Sequence, residues 1–139
     1  MHFNLPKYNQ QSKKYQPLVL IVDDDRDNLL YASCVVDSMQ LNYAVVEDSE
    51  LCIDLVDRFV PDVILLNIVM PKLDGLEIAR IVRQNQKTSH ISIIAVTGLT
   101  KTEDRTKIND IGFNDYLCKP YFIEELESKI YKNLSRALV

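Results

Sequence analysis

Nowhere in the sequence do apolar residues run for the roughly 20 positions needed to cross a bilayer, and the amino terminus has no hydrophobic stretch like that of a secretory signal. A membrane span is therefore not expected, and a cytoplasmic location is. Basic residues are not gathered into a block either. Sixteen Lys and Arg stand against 20 Asp and Glu, for a net charge of -4, which argues against direct contact with nucleic acid. Cysteine is scarce and odd in number: Cys34, Cys52 and Cys118 lie far apart in apolar surroundings, which suits reduced core thiols better than a disulfide framework or a zinc site. The two histidines, His2 and His90, have no carboxylate or cysteine at ligand spacing and are read as surface or loop residues. Internal repeats and low-complexity tracts are also missing.

What is present suffices for one domain. The chain has 139 residues, of which 47% are hydrophobic, enough for a single core and short of a comfortable second one. Residues 1–16 are rich in Asn, Gln, Lys and Tyr and read as an extended arm, leaving 17–139 as the folded unit. Short apolar runs at Leu18–Val22, Tyr43–Val46, Val63–Leu66, Ile91–Val96 and Asp115–Cys118 read as strands. The first, third and fourth are apolar almost throughout, as strands covered on both faces should be.

Between them lie amphipathic stretches. Leu29, Ala32, Val36 and Met39 form one stripe, Cys52, Leu55, Val56 and Phe59 a second, and Ile78, Ala79 and Val82 a third. A fourth helix near Thr102–Asp110 has only Ile108 and Ile111 as strong anchors. The last carries Phe122, Leu126, Ile130 and Leu134, with Glu124, Glu125 and Glu127 near its start, where the macrodipole favours acids. Five alternations of strand and helix make an α/β protein with an open, doubly wound parallel sheet.

In such a sheet the working crevice lies beyond the carboxyl ends of the strands. Asp23, Asp24 and Asp25 follow the first strand, Asn67 the third, Thr97 the fourth, and Lys119 with Pro120 the fifth. A helix start with aspartate near its cap accounts for part of the acidic run. A calcium loop beginning at Asp23 does not, because Asn28 stands where the turn needs glycine and Cys34 where the bidentate glutamate belongs.

The blocks VDDD at 22–25, PDVILLNIVMPKLDG at 61–75, AVTG at 95–98 and DYLCKP at 115–120 resemble the signatures of response-regulator receiver domains, and the likeness runs from Leu18 to Leu138. It implies a flavodoxin-like fold with five strands in the order 2-1-3-4-5 and five helices. It implies a magnesium ion held by Asp23, Asp24, the residue at 67 and the backbone carbonyl of Val69. Thr97 and Lys119 correspond to the hydroxyl and ammonium that meet a phosphoryl group, Tyr116 to an aromatic switch, and Lys119-Pro120 to a cis peptide. The family acts in two-component phosphorelays, which implies a sensor histidine kinase or phosphotransfer protein upstream, a downstream protein target and no enzyme activity of its own. With no output domain after Val139, the signal is expected to leave through protein contacts; a homodimer through the last helix is compatible with this but specified by no single residue.

The departure is Asn67, where the family carries aspartate. A carboxylate can attack a phosphohistidine, whereas a carboxamide oxygen is neutral and far poorer. The sequence as written is thus expected not to accept a phosphoryl group, and its magnesium affinity to be weakened by one lost charge. A natural pseudo-receiver and an engineered, isosteric block both fit. So does a phosphorylation-independent scaffold. A haloacid dehalogenase-type phosphatase using Asp23 and Asp25 is disfavoured by Asp27, by the lack of a later acidic pair and by the lack of room for a cap domain.

Overall fold

A parallel sheet hides both of its faces, and these strands are apolar enough to be hidden. The computed structural model describes residues 17–98 and 102–137; the expected arm at 1–16 lies outside the described residues. Strand and helix alternate as β1 (Leu18–Val22), α1 (Arg26–Ser38), β2 (Asn42–Val46), α2 (Ser49–Phe59), β3 (Val63–Asn67), α3 (Gly75–Gln84), β4 (Ser92–Thr97), α4 (Thr102–Ile111), β5 (Asp115–Cys118) and α5 (Ile123–Ala137). All pairings are parallel and the order is β2-β1-β3-β4-β5, the flavodoxin-like arrangement the resemblance implied.

Alternation along each strand divides the core into two layers. Val19, Ile21, Val63, Leu65, Ile94 and Val96 pack with Leu29, Ala32 and Val36 of α1 and Leu126, Ile130 and Leu134 of α5. Leu20, Val22, Ile64, Leu66, Ile93 and Ala95 face the other way, onto Cys52 and Val56 of α2, Ile78, Ala79 and Val82 of α3, and Ile108 of α4. Ile64 and Leu65, neighbours on opposite faces, are at most 2% exposed, and each such side chain contributes about 1.5–3 kcal/mol.

Three expectations fail, each where a helix ends or a face turns. Phe59 is 57% exposed: it is the last residue of α2, and Val60 after it takes a left-handed φ of 43°, so the chain leaves before the ring can be covered. Phe122 is 75% exposed and precedes α5. Its carbonyl accepts from the N–H groups of Glu125 and Leu126, and its own N–H donates to Glu125 Oε1, so its backbone closes the first turn while its ring stays in water. Cys34 is exposed because Ser33 and Val35 take the buried positions beside it. Cys52 is the core thiol expected, its pKa pushed up to about 12 by burial. Cys118 is intermediate.

Candidate functional site

The acidic run after β1 is divided by the start of α1. Asp25 turns to the helix: its side chain accepts from the N–H groups of Asp27 at 2.8 Å and Asn28 at 3.1 Å, the ordinary work of an N-cap aspartate. Asp25 is thereby the cap residue of α1. Asp23 stays with the sheet, its N–H donating to the Val46 carbonyl, and is 4% exposed. Asp24 sits between them at the surface.

β3 runs one residue further than its apolar composition predicts and ends on Asn67, in register with Val96 of β4. The chain can return into α3 only because of Gly75. A Cβ there would lie 2.4 Å from the Asn67 carbonyl oxygen and 2.8 Å from Ile68 Cα, closer than any side chain tolerates. Gly75 N–H donates to the Ile68 carbonyl at 2.8 Å. Buried Ser49, at the start of α2, steadies the same loop. Its hydroxyl donates to the Pro71 carbonyl at 3.0 Å and accepts from Leu73 N–H at 3.2 Å.

The Asn67 side chain is the centre of the pocket. Its Nδ2 donates to the Val69 carbonyl at 2.9 Å and to Asp23 Oδ1 and Asp24 Oδ1, each at 3.2 Å. Its Oδ1 accepts from Lys119 Nζ at 3.0 Å, and the same ammonium lies 3.2 Å from Asp23 Oδ2. Asn67 itself is 6% exposed. Burial pushes the Asp23 carboxyl above the usual carboxylate range and Asp24 adds to the rise, while the Asp25 N–H and the Lys119 charge pull the other way.

Thr97 ends β4 at 2% exposure, beside Cys118 in the β4–β5 register, and its carbonyl accepts from Lys119 N–H at 2.9 Å. The Lys119-Pro120 bond is cis. Asp23, Asp24, Asn67, the Val69 carbonyl and Lys119 therefore share one network, and Thr97 joins it through the main chain. Tyr116 stands apart. Its ring is half-buried between Arg105, 5.1 Å from the centroid, and Lys129, 5.7 Å away.

Sequence reasoning missed those two cations and the brace at Ser49. Motif spacing carries no sign of either, although a buried serine at a helix start invites the question of what it holds. Among the described residues no three His, Cys, Asp or Glu side chains gather around one point. None of the described helices is long and apolar enough to cross a membrane.

Residues 19–131 match the family described as the response regulator receiver domain. A probable cyclic di-GMP phosphodiesterase of Vibrio cholerae is 30% identical over 119 residues, which are 86% of this chain and 27% of that protein. The chain spans about a quarter to a half of the length of the first curated relatives it matches. Among solved structures, the chemotaxis protein CheY4 of Vibrio cholerae superposes with a TM-score of 0.80 at 22% identity, covering 84% of this chain and 98% of that one. The receiver domain of a sensor histidine kinase from Pseudomonas aeruginosa, with magnesium coordinated in its active-site cleft, gives 0.79 at 27% identity, covering 86% and 98%.

Proposed function

The chain belongs to the response regulator receiver family, and on that premise we propose that it is a signalling module whose phosphoacceptor position is held by Asn67, so that it works without accepting a phosphoryl group there. The observation that supports this reading is the direction of the Asn67 amide: its one oxygen faces the Lys119 ammonium at 3.0 Å and its nitrogen faces two carboxylates. No anionic oxygen is available at residue 67 for attack on phosphorus. Thr97 and Lys119 are the groups that would meet a phosphoryl oxygen if aspartate stood at 67.

Two carboxylates and the Val69 carbonyl offer the hard oxygens magnesium prefers, and they converge on one point. Asn67 Nδ2 lies among them, where aspartate would add one more oxygen, so the set fits with aspartate at 67 and is weakened with asparagine. Bound by these oxygens, the cation would supply positive charge to an incoming phosphate.

Upstream, a histidine kinase or phosphotransfer protein would dock at this edge. Downstream, a protein target would read the surface of α4, β5 and α5. The mixed charge of the chain supports protein over nucleic acid as the direct partner. An enzyme activity of its own is not proposed.

The test is intact mass after incubation with acetyl phosphate and magnesium. Asn67→Asp gains one phosphoryl group and the unreplaced chain gains none. Labelling of the unreplaced chain at residue 67 would overturn the reading, and an inert Asn67→Asp would overturn the pocket assignment.

A further inference from the structure

A carboxylate presents two equivalent oxygens, whereas a carboxamide presents an acceptor at one end and two N–H donors at the other. At residue 67 the two ends meet different partners. The NH2 is surrounded by three oxygens, those of Asp23, Asp24 and the Val69 carbonyl, and the oxygen is engaged by Lys119. Two hydrogens serve three acceptors. The Val69 carbonyl, at 2.9 Å, takes one, and the two carboxylates, at equal distance, share the other.

We infer that the Asn67 carboxamide is a built-in substitute for the divalent cation, closing the pocket without metal. This rests on the cation site proposed above and adds a physical exclusion to it. The three oxygens stand 2.9–3.2 Å from Nδ2, a shell suited to N–H donors. Magnesium holds its ligands at about 2.0–2.1 Å, closer than these N–H contacts, so the three oxygens would have to regroup to take an ion.

For the amide to offer its oxygen to that ion it must turn over, and its NH2 would then face the Lys119 ammonium, donor against donor. Aspartate has no such conflict, because one oxygen serves Lys119 and the other the metal. The charge count points the same way. Two carboxylates and one ammonium leave one negative charge in the pocket as it stands, and aspartate at 67 would leave two. The like-charge repulsion a cation ordinarily relieves is already reduced.

Unfolding midpoints with EDTA and with saturating magnesium test this on the chain, on Asn67→Asp and on Asn67→Ala. In EDTA the chain melts highest, ahead of both variants by about 5 °C or more. Magnesium raises Asn67→Asp toward it and leaves the chain unmoved, and the side-chain NH2 resonances of Asn67 do not shift. An equal magnesium response in the chain and in Asn67→Asp overturns the inference, and so does an Asn67→Ala as stable in EDTA as the chain itself. If Asn67→Asp folds yet ignores magnesium, the cation site of the preceding section falls, and the substitute falls with it. Should Asn67→Asp fail to fold, movement of the NH2 resonances on adding magnesium overturns the inference, and their constancy with a weakened Asn67→Ala supports it.

Discussion

Two aspartates, each with a lysine against it, stand at opposite ends of the β5 region and behave in opposite ways. Asp23 and Asp115 have nearly equal side-chain exposure, 6% and 7%. Burial raises the pKa of both, yet it wins only at Asp23. Asp115 is answered by Lys129 at 2.8 Å, Lys132 at 3.7 Å and the Tyr116 N–H at 2.9 Å, which together hold its carboxyl below the usual range. Asp23 has one lysine at 3.2 Å, which it shares with Asn67, and a second acid beside it. The charge of a carboxyl therefore depends on the cations and anions around it as well as on its burial. The Asp115 cluster is arranged for stability, and the Asp23 pocket keeps an excess of negative charge of the kind a binding site needs.

Removing each carboxylate would sharpen the contrast. Asp115→Ala leaves Lys129 and buried Asn133 without their shared acceptor, and a loss of about 2 kcal/mol is expected in urea unfolding, less than for a wholly buried pair because Lys129 can turn to water. No change on this replacement would mean the two sites do not differ in kind.

The pH dependence gives a smaller, signed effect. Asp115 has a folded value below the ordinary one, so its contribution is present above the ordinary carboxylate range and is lost as pH falls through the folded value. Asp23 has a raised value, so its contribution is present in acid and is lost as pH rises through the folded value. On acidification from neutral, midpoints should gain from Asp23 first and lose from Asp115 afterwards. Asp115→Asn should abolish the later loss, and a loss that persists in this variant would break the comparison.

The smallest effect is expected at Asp24→Asn. This removes a like charge next to Asp23 at an exposed position and should leave stability unchanged or raise it by up to about 0.5 kcal/mol. A destabilisation as large as that of Asp115→Ala would show that the pocket, too, is built for stability.

Strands were legible in the sequence because a two-sided burial requirement writes itself as a continuous apolar run, as in Val63–Leu66. Asn67 was legible because it directly follows such a run, and Lys119 because it stands in the DYLCKP block after the weaker run at Asp115–Cys118. The division of labour among Asp23, Asp24 and Asp25 was only half legible: the cap was foreseen as an alternative for the group, but which residue serves it depends on where α1 begins. Phe59 and Phe122 were misread for a related reason, since helical spacing continues on paper past the ends that backbone geometry gives a helix; Cys34 was misread because apolar neighbours in sequence do not say which face of α1 a residue takes. The cations around Tyr116 come from α4 and α5, 11 and 13 residues away along the chain, and no local pattern announces them.

At the pole opposite the pocket, Arg83 of α3 gathers the entrances to β4 and β5. Its guanidinium donates to the carbonyls of Gly112, Ser89 and Ile91 and to Asn114 Oδ1, and among the described residues it makes no ion pair. These acceptors are all neutral, so there is no anion for added salt to screen and no acid to protonate. Arginine keeps its own proton throughout. The contacts of Arg83 at the base of the domain are thus fastened independently of ionic conditions, unlike the ion pairs around Asp23 and Asp115.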